Sequence, residues 1–167
     1  MVNIIVAIGM LFACAYVGRE LGGAYRKRER FYVEVVSFCV LLESEIGLFQ
    51  NKLIEIFDKT KGSNKDFNLV MSGIKSQLVK SNQLDKKELS VILANLKYLS
   101  NREQEQFVEF ILPLGRLDVD EQVVKVKRNR QAYEQKLAES RSENRKKGGL
   151  YTKMGLIVGC LCFIVLI

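Results

Sequence analysis

The sequence predicts an all-α protein: a cytoplasmic antiparallel helix bundle flanked by an N-terminal and a C-terminal transmembrane helix. Three observations lead there. Positions 1–18 and 154–167 of the 167-residue chain carry no charged residue, so all 26 basic and 19 acidic side chains lie between them. Within that charged stretch apolar residues recur every three or four positions, the helical period, and no alternating strand pattern occurs. Three times a Ser or Asp is followed by Glu at the spacing of a helix-start capping box: Asp85 with Glu88, Ser100 with Glu103, and Asp118 with Glu121. The expected division is a first transmembrane helix at 2–18, a cytoplasmic helical domain at 19–149 and a second transmembrane helix at 150–167.

The first uncharged run gives about 26 Å of helix, enough for a thin or tilted span. The last is shorter, about 21 Å. It is expected to extend back through Leu150 and Tyr151, with Lys153 snorkelling to the interface. A buried core helix is the competing reading, but such a helix would carry a polar face and neither run has one. Ala13-Cys14-Ala15 matches a signal-peptidase site and Leu11-Phe12-Ala13-Cys14 a lipoprotein box, both incompletely. The basic cluster follows the apolar run instead of preceding it, which favours a retained anchor with its N-terminus outside.

Next comes a stripe of Phe31, Val35, Phe38, Leu42, Ile46, Phe49, Leu53 and Phe57, with Gly47 as a point where one helix becomes two. A loop at Lys61-Gly62-Ser63-Asn64 precedes a second apolar face of Phe67, Val70, Met71, Ile74 and Leu78. The first box is flanked by Leu84 and Leu89, placed for a hydrophobic staple. The second opens a helix that Pro113 and Gly115 end. The third opens a long helix of strong helix formers reaching Lys147, interrupted or bent at Gly148-Gly149 or continuous with the last span.

Charge sets the orientation. Residues 19–30 carry a net +3 and residues 145–153 a net +4, whereas 31–144 balance, so the whole +7 sits beside the two apolar runs. These collars (Arg26, Lys27, Arg28 and Arg30; Arg145, Lys146, Lys147 and Lys153) flank one side of the membrane. The positive-inside rule makes that side cytoplasmic, and the collars suit anionic headgroups. The neutral interior argues against nucleic acid as a partner.

The chain has no histidine, which removes the commonest general base and metal ligand. It also lacks a phosphate-binding glycine loop. Cys14, Cys39, Cys160 and Cys162 read as small buried hydrophobes, and Cys160 and Cys162 point to nearly opposite sides of a helix. Glu43 and Glu45, two apart, also face different directions, so a catalytic carboxylate pair is not expected there. No catalytic residue, metal, cofactor or small-molecule substrate is expected. Gly155 and Gly159 form a small-xxx-small pair whose face packs closely on another helix, with a homo-oligomer left open. The competing classes are a membrane-anchored regulator or enzyme, which needs a perturbed carboxylate or a cleft, and a small pore, which the apolar spans disfavour.

Three stretches resemble the stage III sporulation protein AB family of endospore-forming bacteria. They are Leu41-Leu42-Glu43-Ser44-Glu45-Ile46, then FILPLGRLDVDEQ with Leu114, Gly115, Asp118 and Gln122 in the family's spacing, then the charged helix entering a Gly-containing span at Lys153-Met154-Gly155-Leu156. The chain departs where the family often has Thr-Pro-Leu, here Asn51-Lys52-Leu53, and has Gly148-Gly149 before Tyr151. The resemblance implies a non-enzymatic platform subunit of a secretion-like complex joining mother cell and forespore, in the outer forespore membrane. It implies work beside a cytoplasmic ATPase of the same operon and other channel subunits, through a helical domain similar to type II secretion platform proteins. On that reading Glu43, Glu45, Arg116, Asp118 and Gln122 are the candidate partner contacts.

Overall fold

The computed structural model describes the chain apart from residues 1, 48–52, 82, 115–117 and 167, and apart from the side chains at 2–5, 7, 152, 165 and 166. Every regular element among the described residues is helical: α1 (Val2–Gly47), α2 (Leu53–Lys59), α3 (Lys65–Ser81), α4 (Lys86–Ala94), α5 (Asn101–Ile111), α6 (Val119–Glu143), a π turn (Asn144–Gly148) and α7 (Gly149–Leu166). They divide into two compact units. One comprises Met1–Glu29 with Ala138–Ile167, the other Arg30–Leu137.

The 30–137 unit is built on the predicted stripes. Phe31, Val35, Phe38, Leu42 and Ile46 are all buried along α1, as are Phe67, Val70, Met71, Ile74 and Leu78 along α3. Phe49 lies outside the described residues, Leu53 is half-buried and Phe57 is buried. The centre is aromatic. Phe31 meets Phe67 at 6.1 Å and Phe107 at 5.6 Å, and Phe110 meets Tyr133 at 5.6 Å, all edge-on. Edge-to-face packing sets the electropositive ring edge against the electronegative face, worth about 0.5–1.5 kcal/mol per pair beyond area burial. Helix α1 ends at Gly47 and α2 begins at Leu53, so the stripe is carried by two helices.

The loop before α3 is held by side chains that the sequence did not announce. One oxygen of Glu34 accepts from the amides of Ser63 (2.7 Å) and Asn64 (3.1 Å). The side-chain oxygen of Asn64 accepts from the Asp66 amide at 2.8 Å, satisfying a donor of the first turn. The three expected boxes differ in outcome. Ser100 and Glu103 form the reciprocal box. At α4 Asp85 occupies the cap position but its side chain makes no cap bond, and the Glu88 carboxylate, the other half of the expected box, accepts from Gln77 on α3 at 2.6 Å. Leu84 and Leu89, the two residues of the expected staple, are both buried in the core. At α6 the Gln122 amide donates to the Asp118 carbonyl at 2.9 Å.

In the other unit, α1 and α7 run antiparallel with glycines at the contact. A Cβ on Gly155 would lie 2.7 Å from the Cys14 carbonyl oxygen, and one on Gly159 would lie 3.1 Å from that of Leu11. Large apolar side chains point outward: Phe12, Tyr16, Leu161 and Ile164 are all more than half exposed. The expected interruption at Gly148-Gly149 is a π turn joining α6 to α7 without a break in the helix. Asn144 in this turn donates to Glu29 at 2.6 Å. A Cβ at position 148 would collide with the Asn144 side-chain oxygen.

Candidate functional site

Glu43 and Glu45 point apart, as their spacing requires. Glu43 turns to α6, accepting from Arg130 at 2.8 Å with Lys127 at 3.6 Å. Glu45, 8% exposed, turns to α2 and pairs with Lys59 at 2.7 Å. The α1 carboxylates therefore tie three helices of the 30–137 unit together. Asp118 is exposed and Gln122 half-buried at the start of α6. Arg116 lies outside the described residues. The structure thus brings Asp118 and Gln122 to one turn and places Glu43 and Glu45 elsewhere, each in an intramolecular ion pair.

Between α5 and α6 lies a groove of about 810 Å³, which sequence reasoning missed. Phe110, Val124 and Tyr133 supply its apolar surface, and Glu121, Arg128 and Lys136 are among its charged residues. Val124 on this face of α6 is 67% exposed. A signal was available in the order of charges on α6: Asp120 and Glu121 come first, then Lys125, Lys127, Arg128 and Arg130. Acids at the N-terminal turn also suit the helix dipole.

Buried titratable groups in this unit read as structural. Burial pushes the Cys39 thiol up to about 12, with Arg130 opposing and Glu134 and Glu43 adding to the rise. Burial likewise raises the Tyr133 phenol, and raises Tyr98 together with the nearby Asp66 carboxylate. A thiol held protonated is a poor nucleophile. Among the cysteines only Cys39 is buried. Cys14 and Cys162 are half-buried and Cys160 is exposed, because the helices carrying them turn glycines to each other and larger side chains outward.

The predicted basic collars separate into two sets. Arg28 pairs with Glu143, Lys147 reaches Glu143 at 3.7 Å, and Arg141 reaches Glu29 at 3.8 Å. Arg26, Lys27, Arg145, Lys146 and Lys153 are exposed, as is Arg30 in the other unit. Tyr25 stacks on Tyr151 with ring centres 5.8 Å apart and planes 10° from parallel. Among the described residues one helix, Val119–Ile164 including the π turn, is long and apolar enough to cross a membrane by length and composition.

No curated protein and no solved structure matches the chain. The family described as stage III sporulation protein AB matches residues 3–167, the stretch that holds both units, the groove and the glycine contact. The chain therefore belongs to the stage III sporulation protein AB family.

Proposed function

We propose that this sporulation protein is a non-enzymatic platform subunit, anchored through α1 and α7 as two membrane spans, whose 30–137 unit receives a cytoplasmic ATPase partner. The observation that carries the reading is the inverted packing of the 1–29/138–167 unit. Its small residues face inward at Gly18, Gly155 and Gly159, and its large apolar residues face out. In water that arrangement exposes apolar surface with no return. In lipid, where packing and not hydrophobicity joins helices, it is the stable one. Exposed cations lying beyond the apolar segments support a cytoplasmic 30–137 unit.

The 30–137 unit presents an open groove whose α6 wall begins at Asp120 and Glu121, with an exposed valine and segregated charges. A surface of that kind suits an amphipathic helix of a partner. The test is co-purification of the ATPase with the tagged full chain from sporulating cells. Val124→Arg should abolish capture while circular dichroism stays unchanged, and Glu43→Ala with Glu45→Ala should weaken it. Undiminished capture by both folded variants removes the platform reading. Deletion should arrest forespore development and leave vegetative growth intact.

A further inference from the structure

The collar cations are not equivalent. In the 1–29/138–167 unit α1 runs beside the π turn, and two contacts bracket one level. At one end Gly148 approaches the Gly22 carbonyl, and at the other Asn144 donates to Glu29. Gly22 and Glu29 are about 10 Å apart along the helix. Arg26 and Lys27 on α1, and Arg145 and Lys146 on the π turn, all fall inside this bracket.

The carboxylates at this level are already engaged. Glu29 takes Asn144 and Arg141, and Glu143 takes Arg28 and Lys147. Among the described residues Arg26, Lys27, Arg145 and Lys146 make no ion pair, and all four are exposed. Four uncompensated positive charges thus share a belt about two helical turns high. Within the same bracket Tyr25 stacks on Tyr151, with the Lys147 ammonium 6.0 Å over the Tyr25 ring, and Arg19, Glu20 and Lys153 are the charged residues nearer the apolar runs. Tyrosines stacked where apolar helix gives way to charge mark headgroup depth.

We infer that Arg26, Lys27, Arg145 and Lys146 form a binding belt for the phosphates of anionic lipid headgroups, while Arg28, Arg141 and Lys147 hold the helices together. The inference rests on the spanning reading above. A phosphodiester supplies the acceptors these cations lack. Its acyl chains would lie along the outward residues of α1 and α7, which a soluble anion cannot use. Each basic residue near an anionic surface contributes on the order of fivefold in affinity.

The test uses the full chain in neutral detergent, with phosphatidylglycerol or phosphatidylcholine added and retained lipid counted by native mass spectrometry. The wild type should retain phosphatidylglycerol and not phosphatidylcholine, and glycerol phosphate at millimolar concentration should not displace it. Arg26→Gln, Lys27→Gln, Arg145→Gln and Lys146→Gln combined should weaken retention at least about a hundredfold. The charge-matched control, Lys61→Gln, Lys80→Gln, Lys87→Gln and Arg102→Gln, should leave retention unchanged. Wild-type retention by the folded belt variant, equal retention of phosphatidylcholine, or displacement by glycerol phosphate would each overturn the belt. Insertion into phosphatidylcholine vesicles is scored separately by resistance to carbonate extraction. A chain that inserts without preferring phosphatidylglycerol loses only the belt, whereas a chain that fails to insert loses the spanning reading as well.

Discussion

A Cβ on Gly18 would stand 2.9 Å from the Cα of Gly155, and one on Gly155 would stand 2.8 Å from the Cα of Gly18. Each glycine is thus what admits the other. Backbone atoms cannot step aside as a flexible side chain can, so any larger residue forces the helices apart. Gly155→Val should lower stability in detergent by about 1–3 kcal/mol, as overpacking does. Gly23, whose added Cβ meets nothing within 4 Å, should accept Ala with a gain of about 0.5–1 kcal/mol from helix propensity. Thermal unfolding of both variants checks the contrast. Equal shifts would mean the contact at Gly18 does not exist.

The box at α5 should be worth more than a cap alone, because Glu103 serves two elements. One oxygen accepts from the Ser100 amide at 2.8 Å and the other from the buried Tyr32 hydroxyl at 2.5 Å. Ser100→Ala should cost about 1 kcal/mol. Glu103→Ala, losing both roles, should cost about 2–3 kcal/mol. Urea titration of the two variants reads the difference, and indistinguishable midpoints would place Tyr32 outside the network.

Alkaline pH should destabilise the fold through Cys39. Burial raises the thiol well above its ordinary value, so unfolding releases its proton first. The folded state keeps its full advantage below about pH 9 and loses it as pH rises toward the folded value. The urea midpoint should hold between about pH 7 and 8.5 and fall above that range. Lysines titrate there too, so the decisive quantity is the slope in Cys39→Ala, which should be shallower. An unchanged slope would show that the thiol is not the group responsible.

Much of this architecture is legible in the residues. Periodicity places the core of α1 and α3 correctly because burial leaves a one-dimensional trace every three or four positions. The Ser100 box is read correctly because its partners are adjacent in sequence. The Glu88 half of the Asp85 box is diverted for a tertiary reason: its carboxylate accepts from Gln77, eleven residues away, and no local rule contains that competitor. The same holds for Glu43, whose partner Arg130 is distant in sequence, and for the groove, whose two walls come from separate helices. Glu34 was invisible for the same reason, since its loop partners lie 29 and 30 residues on.

Exchange of a charge pair should separate a structural role for Glu43 from a contact role. The pair with Arg130 is partly exposed on both sides, 23% and 32%, so breaking it with Glu43→Arg should cost under about 1 kcal/mol. Adding Arg130→Glu should restore stability. If sporulation efficiency returns with stability, Glu43 acts within the fold. If it stays lost in the stable double variant, the carboxylate meets a partner.

The π turn leaves the chain with one residue more than an α-helical ladder between α6 and α7 would need. A residue added to an ordinary helix advances everything after it by about 100°, whereas a π turn absorbs the addition as a local widening. Removing Lys146 should therefore collapse the bulge into plain α-helix and leave Gly155 and Gly159 still aimed at α1. The same deletion a turn later, at Leu150, has no slack to draw on and would swing the glycine seam away from its mate. Length tolerance along this helix is thus confined to a single widened coil, and it lies where the charged segment hands over to the apolar one.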